Sequence, residues 1–498
     1  MATPAYDQLL ERYAEIKDLE GAQSILGWDQ EVMMPAGGGA ARAHSMASLA
    51  GVLHAKRTAP ELRKLLGSLK RGRAKLKPRE RRSLELAQHA VDKASAIPAR
   101  LATEIAHAES AGLEAWRAAR EARDVRGFVP ALERMVGLKR EVAALRGKPG
   151  KLYDPLLDEF EPGATMAEID PLLTELKELT VPLVKRVVAS GVKPNMKPFV
   201  GRFKVDAQRA FAREICLAMG IDPERSRMDL STHPFCGGVA PDDVRMTSRY
   251  DPRDTRGGLF GAIHEAGHGL YEQGLDARRA RTPLGGAISS AVHESQSRLW
   301  ENNVGRGKPF WTYWARKLRA AHPQLKGLSV DKIVAAANEM RPSLIRVEAD
   351  ELTYNLHIVL RYEIERDLIQ GELEVRELRD RWNTNMSEML GVTPRHDTEG
   401  VLQDIHWAMG LFGYFPTYSL GNLYAAQFMA TARKQIRGLD GRIAKGDMEP
   451  LREWLRVNIH RHDQVYTAGQ LVKRVTGAPL SVDAFRTYIT AKVDALYH

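Results

Sequence analysis

A large all-α fold with one small β element is what this 498-residue sequence predicts. Three observations lead there. Apolar residues recur at three- and four-residue spacing nearly from end to end, which is the helical period. Alternating strand patterns are scarce. One loop-rich stretch, RMDLSTHPFCGGVAPDDVRMTSRY at 227–250, interrupts the helical pattern with Pro and Gly. It carries two β-capable runs, around Met228 and at Val244–Thr247.

Taken in order, the first helix lies in MATPAYDQLLERYAEIKDLEGAQSILGWDQ, where Tyr6, Leu9, Leu10, Tyr13, Ile16 and Leu19 share a face. This segment lacks a basic start followed by an apolar stretch, so no secretory signal is expected. Helical periodicity continues through ELRKLLGSL, RRSLELAQHAVDKASA, PARLATEIAHAESAGLEAWRAAREA and VPALERMVGLKREVAALRG. It resumes in MAEIDPLLTELKELTVPLVKRVVAS, VDAQRAFAREICLAMG and, past the β stretch, DKIVAAANEM. There is no low-complexity linker and no internal repeat.

Hydrophobic residues make up 44% of the chain and charged residues 27%, ordinary for a soluble protein. No run approaches the roughly 18 apolar residues of a membrane span. Two cysteines, Cys216 and Cys236, predict no disulfide framework and a reducing, cytoplasmic setting. The net charge is +10, with much of the excess in KRTAPELRKLLGSLKRGRAKLKPRERR at 56–82. Aromatic residues are not interleaved there as single-strand binding would want. A solvated helix pair is expected, not a nucleic-acid surface.

The chemistry concentrates in GAIHEAGHGLYEQG, 261–274. His264 and His268 stand one helical turn apart on one face, so both imidazoles can bind a single ion. Glu265 lies about 100° around from His264, within reach of a water on that ion without being a ligand. Gly267 and Gly269 weaken the helix by up to about 1 kcal/mol each, which makes sense if something packs closely against them. A catalytic zinc takes three protein ligands. The subtype with a histidine ten residues after the first ligand is excluded by Tyr271 and Gly274. Glu272 is too far along the same helix. RTPLGGAISS then breaks the helix, and AVHESQSRLWENN offers Glu294, with Glu301 as the runner-up. A structural zinc would be closed by cysteines, and neither cysteine is near.

With these residues in hand, the chain resembles the carboxypeptidase Taq family of metallocarboxypeptidases. HPF at 233–235, DVRMTSRY at 243–250, HEAGHGLYEQG, HES at 293–295, IRVEADELTYNLH at 345–357 and GVLQDIHWAMGLFGYFPTYSLGN at 400–422 match family blocks in order. WDQEVMMP at 28–35 resembles the N-terminal block, so the match spans essentially the whole chain. The resemblance implies a single catalytic domain over 1–498, saddle-shaped with a deep groove. A helical part to about residue 200 would cover the groove, and the part from about 201 would carry the metal site. It also implies a homodimer that removes single C-terminal residues from peptides with a free C-terminus, with broad specificity.

His264, His268 and Glu294 are then the expected ligands of one divalent ion. Zn2+ is the first choice, and Co2+ or Mn2+ suit the same set. Glu265 is the expected general base. The resemblance implies that His406 and Tyr418 face the oxyanion, with Tyr414 as the alternative. An arginine suits the substrate carboxylate, because its planar fork binds a carboxylate bidentately, and the resemblance makes Arg346 the first choice, with Arg245 and Arg249 behind it. Arg346 also has acids for neighbours, and Arg245 is expected to pair with Asp243. His233 is expected to line the groove. Many glutamate-type zinc peptidases place an acid four residues after the third ligand. Here that position is Arg298, which leaves Glu301 and Asp404 as candidates to orient a ligand histidine. The rival is a helical metallo-oligopeptidase that cuts internally and lacks the carboxylate-binding arginine.

Overall fold

The N-terminal apolar stripe does form a helix, Pro4–Val32, and buries Tyr6, Leu9, Tyr13 and Ile16. They pack with Leu62, Leu66 and Leu69 of helix Pro60–Arg71 and with Leu84, Ala87 and Val91 of helix Pro78–Ala96. The basic stretch 56–82 therefore hides its leucines and turns its cations outward. Several meet acids: Lys56 pairs with Glu15 at 2.6 Å and Arg57 with Glu20 at 2.6 Å.

The structure is a computed structural model that describes residues 4–147 and 150–498. Among the described residues it has twenty α-helices and one three-stranded sheet, as the all-α expectation requires. No described helix is long and apolar enough to cross a membrane. The small N-terminal core ends at Val91, and from Leu101 onward the buried residues belong to one large core. The division between the two apolar cores falls between Val91 and Leu101. The reason is that helix Ala99–Ala122 is tied to the far end of the chain. Trp116 Nε1 and Arg120 Nη1 both donate to the Leu402 carbonyl, at 3.1 and 2.9 Å.

At the centre lie helices that are buried all round, as apolar residues on every face require. Helix Tyr354–Gln370 buries Leu356, Ile358, Val359, Leu360, Ile364, Leu368 and Ile369, together with His357, Arg361 and Glu365. Helix Pro416–Gln435 runs beside it, with Asn422 Nδ2 donating to Asn355 Oδ1 at 2.9 Å. The sheet comprises β1 Ser226–Leu230, β2 Cys236–Ala240 and β3 Asp243–Ser248, in the order β1-β3-β2. β1 and β3 are the two β-capable runs, paired in parallel with Arg227 opposite Arg245. β2, sequence CGGVA, pairs antiparallel to β3 and bulges between Gly238 and Ala240. A Cβ on Gly238 would come 2.0 Å from the Asp243 carbonyl oxygen, so only glycine fits this turn.

Candidate metal centre and active site

The motif helix, Arg256–Gly274, buries Leu259, Phe260, Ile263 and Leu270 against the core. That leaves His264 and His268 together, with ring centroids 4.9 Å apart. Two of its glycines, Gly267 and Gly269, meet close neighbours. A Cβ on Gly267 would meet Ser297 Cα at 2.6 Å and the Gln296 carbonyl oxygen at 2.7 Å. One on Gly269 would meet Met246 Sδ of β3 at 2.8 Å. The glycines thus trade helix propensity for close contact with Gln296 and Ser297 on one side and with β3 on the other. Gly267→Ala is expected to lower stability by about 2 kcal/mol by overpacking, despite the better helix former. Thermal unfolding of the variant checks this.

Helix Ser290–Arg298 delivers the third group. It starts after Pro283, Gly285 and Gly286. Its N-cap Ser289 accepts from the Val292 N–H at 3.1 Å, and Glu161 accepts from the Ala291 N–H at 3.2 Å. Glu294 then points at both histidines. Its Oε2 lies 3.5 Å from His264 Nε2 and 3.3 Å from His268 Nε2. Two donors bound at 2.0–2.1 Å to a tetrahedral ion stand about 3.3–3.4 Å apart. The three side chains therefore bring two imidazole nitrogens and one carboxylate oxygen within 4.8 Å of one another, a group that could hold a metal ion. A glycine makes room again: a Cβ on Gly421, in helix Pro416–Gln435, would sit 2.7 Å from Glu294 Cγ.

Burial and neighbouring charges set the protonation of each group differently. Burial pushes His268 down to about 3, so its ring is neutral with a free lone pair. Burial also acts against protonation of His264, but Glu294 and Glu301 outweigh it and raise its pKa. Burial would keep Glu294 protonated, yet Arg298 and the two histidines hold its carboxyl well below the usual carboxylate range. Glu265, beside His264, is different. Burial pushes its carboxyl up to about 7, and its Oε2 is buried with no hydrogen-bond partner.

Around this centre the two imidazole rings pack against further polar groups. His264 Nδ1 meets Glu301 Oε2 at 2.9 Å, which leaves Nε2 facing Glu294. His268 stacks on His293 at 4.4 Å, and His293 Nε2 meets Glu272 Oε1 at 2.8 Å. Glu301 lies in a π-helical segment, Leu299–Gly305, that continues the Glu294 helix. Such wide turns recur at functional sites because they re-aim side chains. Arg306 Nη2 donates to Glu301 Oε1 at 2.8 Å.

A second cluster adjoins the first. Arg298 donates to Glu294 Oε1 at 2.7 Å, and its guanidinium lies 4.5 Å over the Tyr354 ring. Arg346 Nη1 donates to the Tyr354 hydroxyl at 3.0 Å. Arg346 Nε and Nη2 both donate to Asp404 Oδ1, at 3.0 and 2.8 Å, and Arg361 takes Asp404 Oδ2 at 2.6 Å. Two guanidinium groups thus share one carboxylate, and one positive charge is left over. Tyr418 packs under Arg346 at 5.1 Å, and Tyr414 stands 5.3 Å from Tyr418. His406 packs on Phe415 at 4.4 Å and on Tyr414 at 5.6 Å. Burial pushes His406 down to about 4, and its Nδ1 has no partner.

The model of the carboxypeptidase Taq (M32) metallopeptidases matches residues 8–493. The chain belongs to that family. It is 42% identical to thermostable carboxypeptidase 1 of Thermus thermophilus, with 99% of each chain covered. It is 37% identical to carboxypeptidase 1 of Bacillus subtilis, over 96% of this chain and 95% of that one. The fold is similar to the crystal structure of an M32 carboxypeptidase from Deinococcus radiodurans R1. The TM-score is 0.96 at 38% identity, covering 99% of this chain and 100% of the other. The enzyme is a metallocarboxypeptidase of this family, and family membership implies a divalent metal.

The remaining sequence-derived site residues of this metallocarboxypeptidase lie on the β element. Arg245 makes the expected fork to Asp243, at 2.9 and 3.0 Å, and its guanidinium lies 4.4 Å over Trp28 of the N-terminal helix. His233 is exposed in the loop between β1 and β2. Arg249, also exposed, donates to the Thr232 carbonyl at 3.3 Å. Asp404 does not orient a ligand histidine; it is engaged by Arg346 and Arg361. Residues that sequence reasoning passed over include His293, Tyr354, Arg361 and Glu365. Glu365 accepts from Trp407 Nε1 at 2.7 Å and from the Gly413 N–H at 3.0 Å, and so ties down the loop that carries His406 and Tyr414. A signal was present: Tyr354, Arg361 and Glu365 recur at helical spacing within an otherwise apolar helix.

Proposed function

We propose that His264, His268 and Glu294 hold one divalent ion, Zn2+ in first place with Co2+ or Mn2+ as alternatives, and that the enzyme removes single C-terminal residues from peptides with broad specificity. The observation that carries this is the convergence of Glu294 Oε2 on two Nε2 atoms at 3.5 and 3.3 Å, with the unpartnered Glu265 carboxyl beside them. A divalent ion, when bound, supplies Lewis acidity, which acidifies water and polarises a scissile carbonyl.

The chain's own residues do the rest. Glu265 takes the proton of the attacking water and returns it to the leaving amine. Tyr418 keeps its proton, because burial raises its pKa well above the usual value, so it can donate to the developing oxyanion. The neutral His406 supplies a second donor, with Tyr414 as the alternative to Tyr418. Arg346 receives the substrate carboxylate. Support comes from the positive charge left over by Arg346 and Arg361 around the single Asp404, and from the link through Tyr354 and Arg298 to Glu294. Arg245 and His233 contribute to the groove wall from the β element. Residues 1–498 act as one catalytic unit, with the N-terminal helices covering the groove. A homodimer in a reducing cytoplasm completes the reading, and two free cysteines agree with such a compartment.

Stripping the metal with a chelator is expected to abolish release of C-terminal residues, and adding back Zn2+ or Co2+ to restore it. Activity that survives removal of all metal would defeat the assignment. Glu301→Gln is expected to weaken metal binding or activity by about 10–100-fold, because it loosens the His264 ring. Chelator competition and initial rates measure both.

A further inference from the structure

Arg298 stands four residues after Glu294, where side chains on one helix face meet. Its Nε donates to Glu294 Oε1 at 2.7 Å and its Nη1 to Glu301 Oε2 at 3.3 Å. The guanidinium is 4.5 Å over the Tyr354 ring, and the side chain is 15% exposed. Arg298 therefore sits in a fixed slot and touches both carboxylates of the metal centre. Ser297 Oγ donates to the Glu294 carbonyl at 2.6 Å and lies 3.0 Å from Glu294 Oε2, and that same Oε2 faces both Nε2 atoms. The two oxygens of Glu294 are thus divided: Oε1 belongs to Arg298 and Oε2 points to the histidines. With Arg306 on Glu301, two cations offset the two anions here.

We propose that Arg298 is a positioning residue of the metal centre: it restricts Glu294 to a single ligating oxygen and moderates the site's affinity for the divalent ion, which keeps room beside the ion for water and substrate. This rests on the assignment of Glu294 as the third ligand. The physical argument has two parts. A guanidinium hydrogen-bonded to a ligand carboxylate draws off its charge and repels a dication across a poorly screened interior. Without it, Glu294 Oε1 would be left unpaired in a buried site beside the Oε2 that faces the histidines, and a buried carboxylate without its counter-charge grips a cation harder. A two-oxygen grip would crowd the space where substrate must enter.

The sign of the effect tests the idea. Arg298→Met is expected to bind Zn2+ about tenfold more tightly, or better, in competition with a chromophoric chelator, while kcat falls. Its Co2+ form should absorb more weakly in the visible than the parent's, as a higher coordination number dictates. A residue that merely props up the site would give the opposite result: affinity and activity would fall together with thermal stability. That outcome overturns the proposal. Arg298→Lys keeps the charge without the fork and guards against a misfolded methionine variant. It should keep the parent's affinity within about threefold and show a smaller loss of Co2+ absorption. A parent-like Co2+ spectrum in either folded variant also overturns the proposal. Glu294→Gln separates the two layers. It should lose about a hundredfold in Zn2+ affinity. If it keeps the parent's affinity, the ligand assignment itself fails. If it binds weakly and Arg298→Met binds weakly too, only the role of Arg298 fails.

Discussion

Glu265→Gln should keep the metal and lose about 10³-fold in kcat. The amide has nearly the shape of the carboxyl group and fits the same buried pocket. Glu265 is not among the three donors that converge, since His264, His268 and Glu294 supply those. What the variant lacks is a basic oxygen: Glu265 Oε2 is buried without a hydrogen-bond partner. Metal analysis and initial rates on the same preparation check the pair of expectations. Loss of metal together with activity would make Glu265 a ligand and undo the assignment of a general base.

The second large effect is expected at the other end of the substrate. Arg346→Met should lower kcat/KM for peptides with a free C-terminus by about 10²-fold, mainly through KM. One charge-assisted interaction with a carboxylate is of that size. The fold should tolerate the change, because Asp404 keeps Arg361 at 2.6 Å and methionine retains the packing of the stem against Tyr418 and Phe415. A purely structural Arg346 predicts otherwise. Thermal stability would drop, and peptides with free and blocked ends would suffer alike.

How much of this was legible in the sequence follows from how local each feature is. The histidine pair is a spacing on one helix, so His264 and His268 could be read directly. Gly267 and Gly269 could be read as sites of close approach, though not what approaches: Ser297 and Met246 come from elsewhere in the chain. Glu294 needed the helix break at Pro283–Gly286 to be recognised first. Glu301 could be read as a runner-up ligand or as one of two candidate orienting acids but not assigned, because a π-helical turn re-aims it at His264 Nδ1, and no spacing rule for an α-helix announces such a turn. Asp404 looked equally suitable as an orienting acid, and only tertiary packing reveals that two arginines hold it. In the β element, Met228 and Val244–Thr247 showed strand propensity and became β1 and β3. β2 escaped because Cys-Gly-Gly has neither alternation nor β-branched residues and is recruited by pairing with β3. The role of Arg346 as the carboxylate's partner rested on resemblance, and its engagement with Asp404 and Tyr354 was beyond any local pattern.

The most direct test of the account uses two peptides that differ in one group. The metal-loaded enzyme would be incubated with a free-acid peptide and with its C-terminally amidated twin, and the products read by mass alongside the metal content per chain. The account predicts about one divalent ion per chain and stepwise loss of single residues from the free acid, with the amide left intact. Internal cuts, or equal hydrolysis of both peptides, would contradict it.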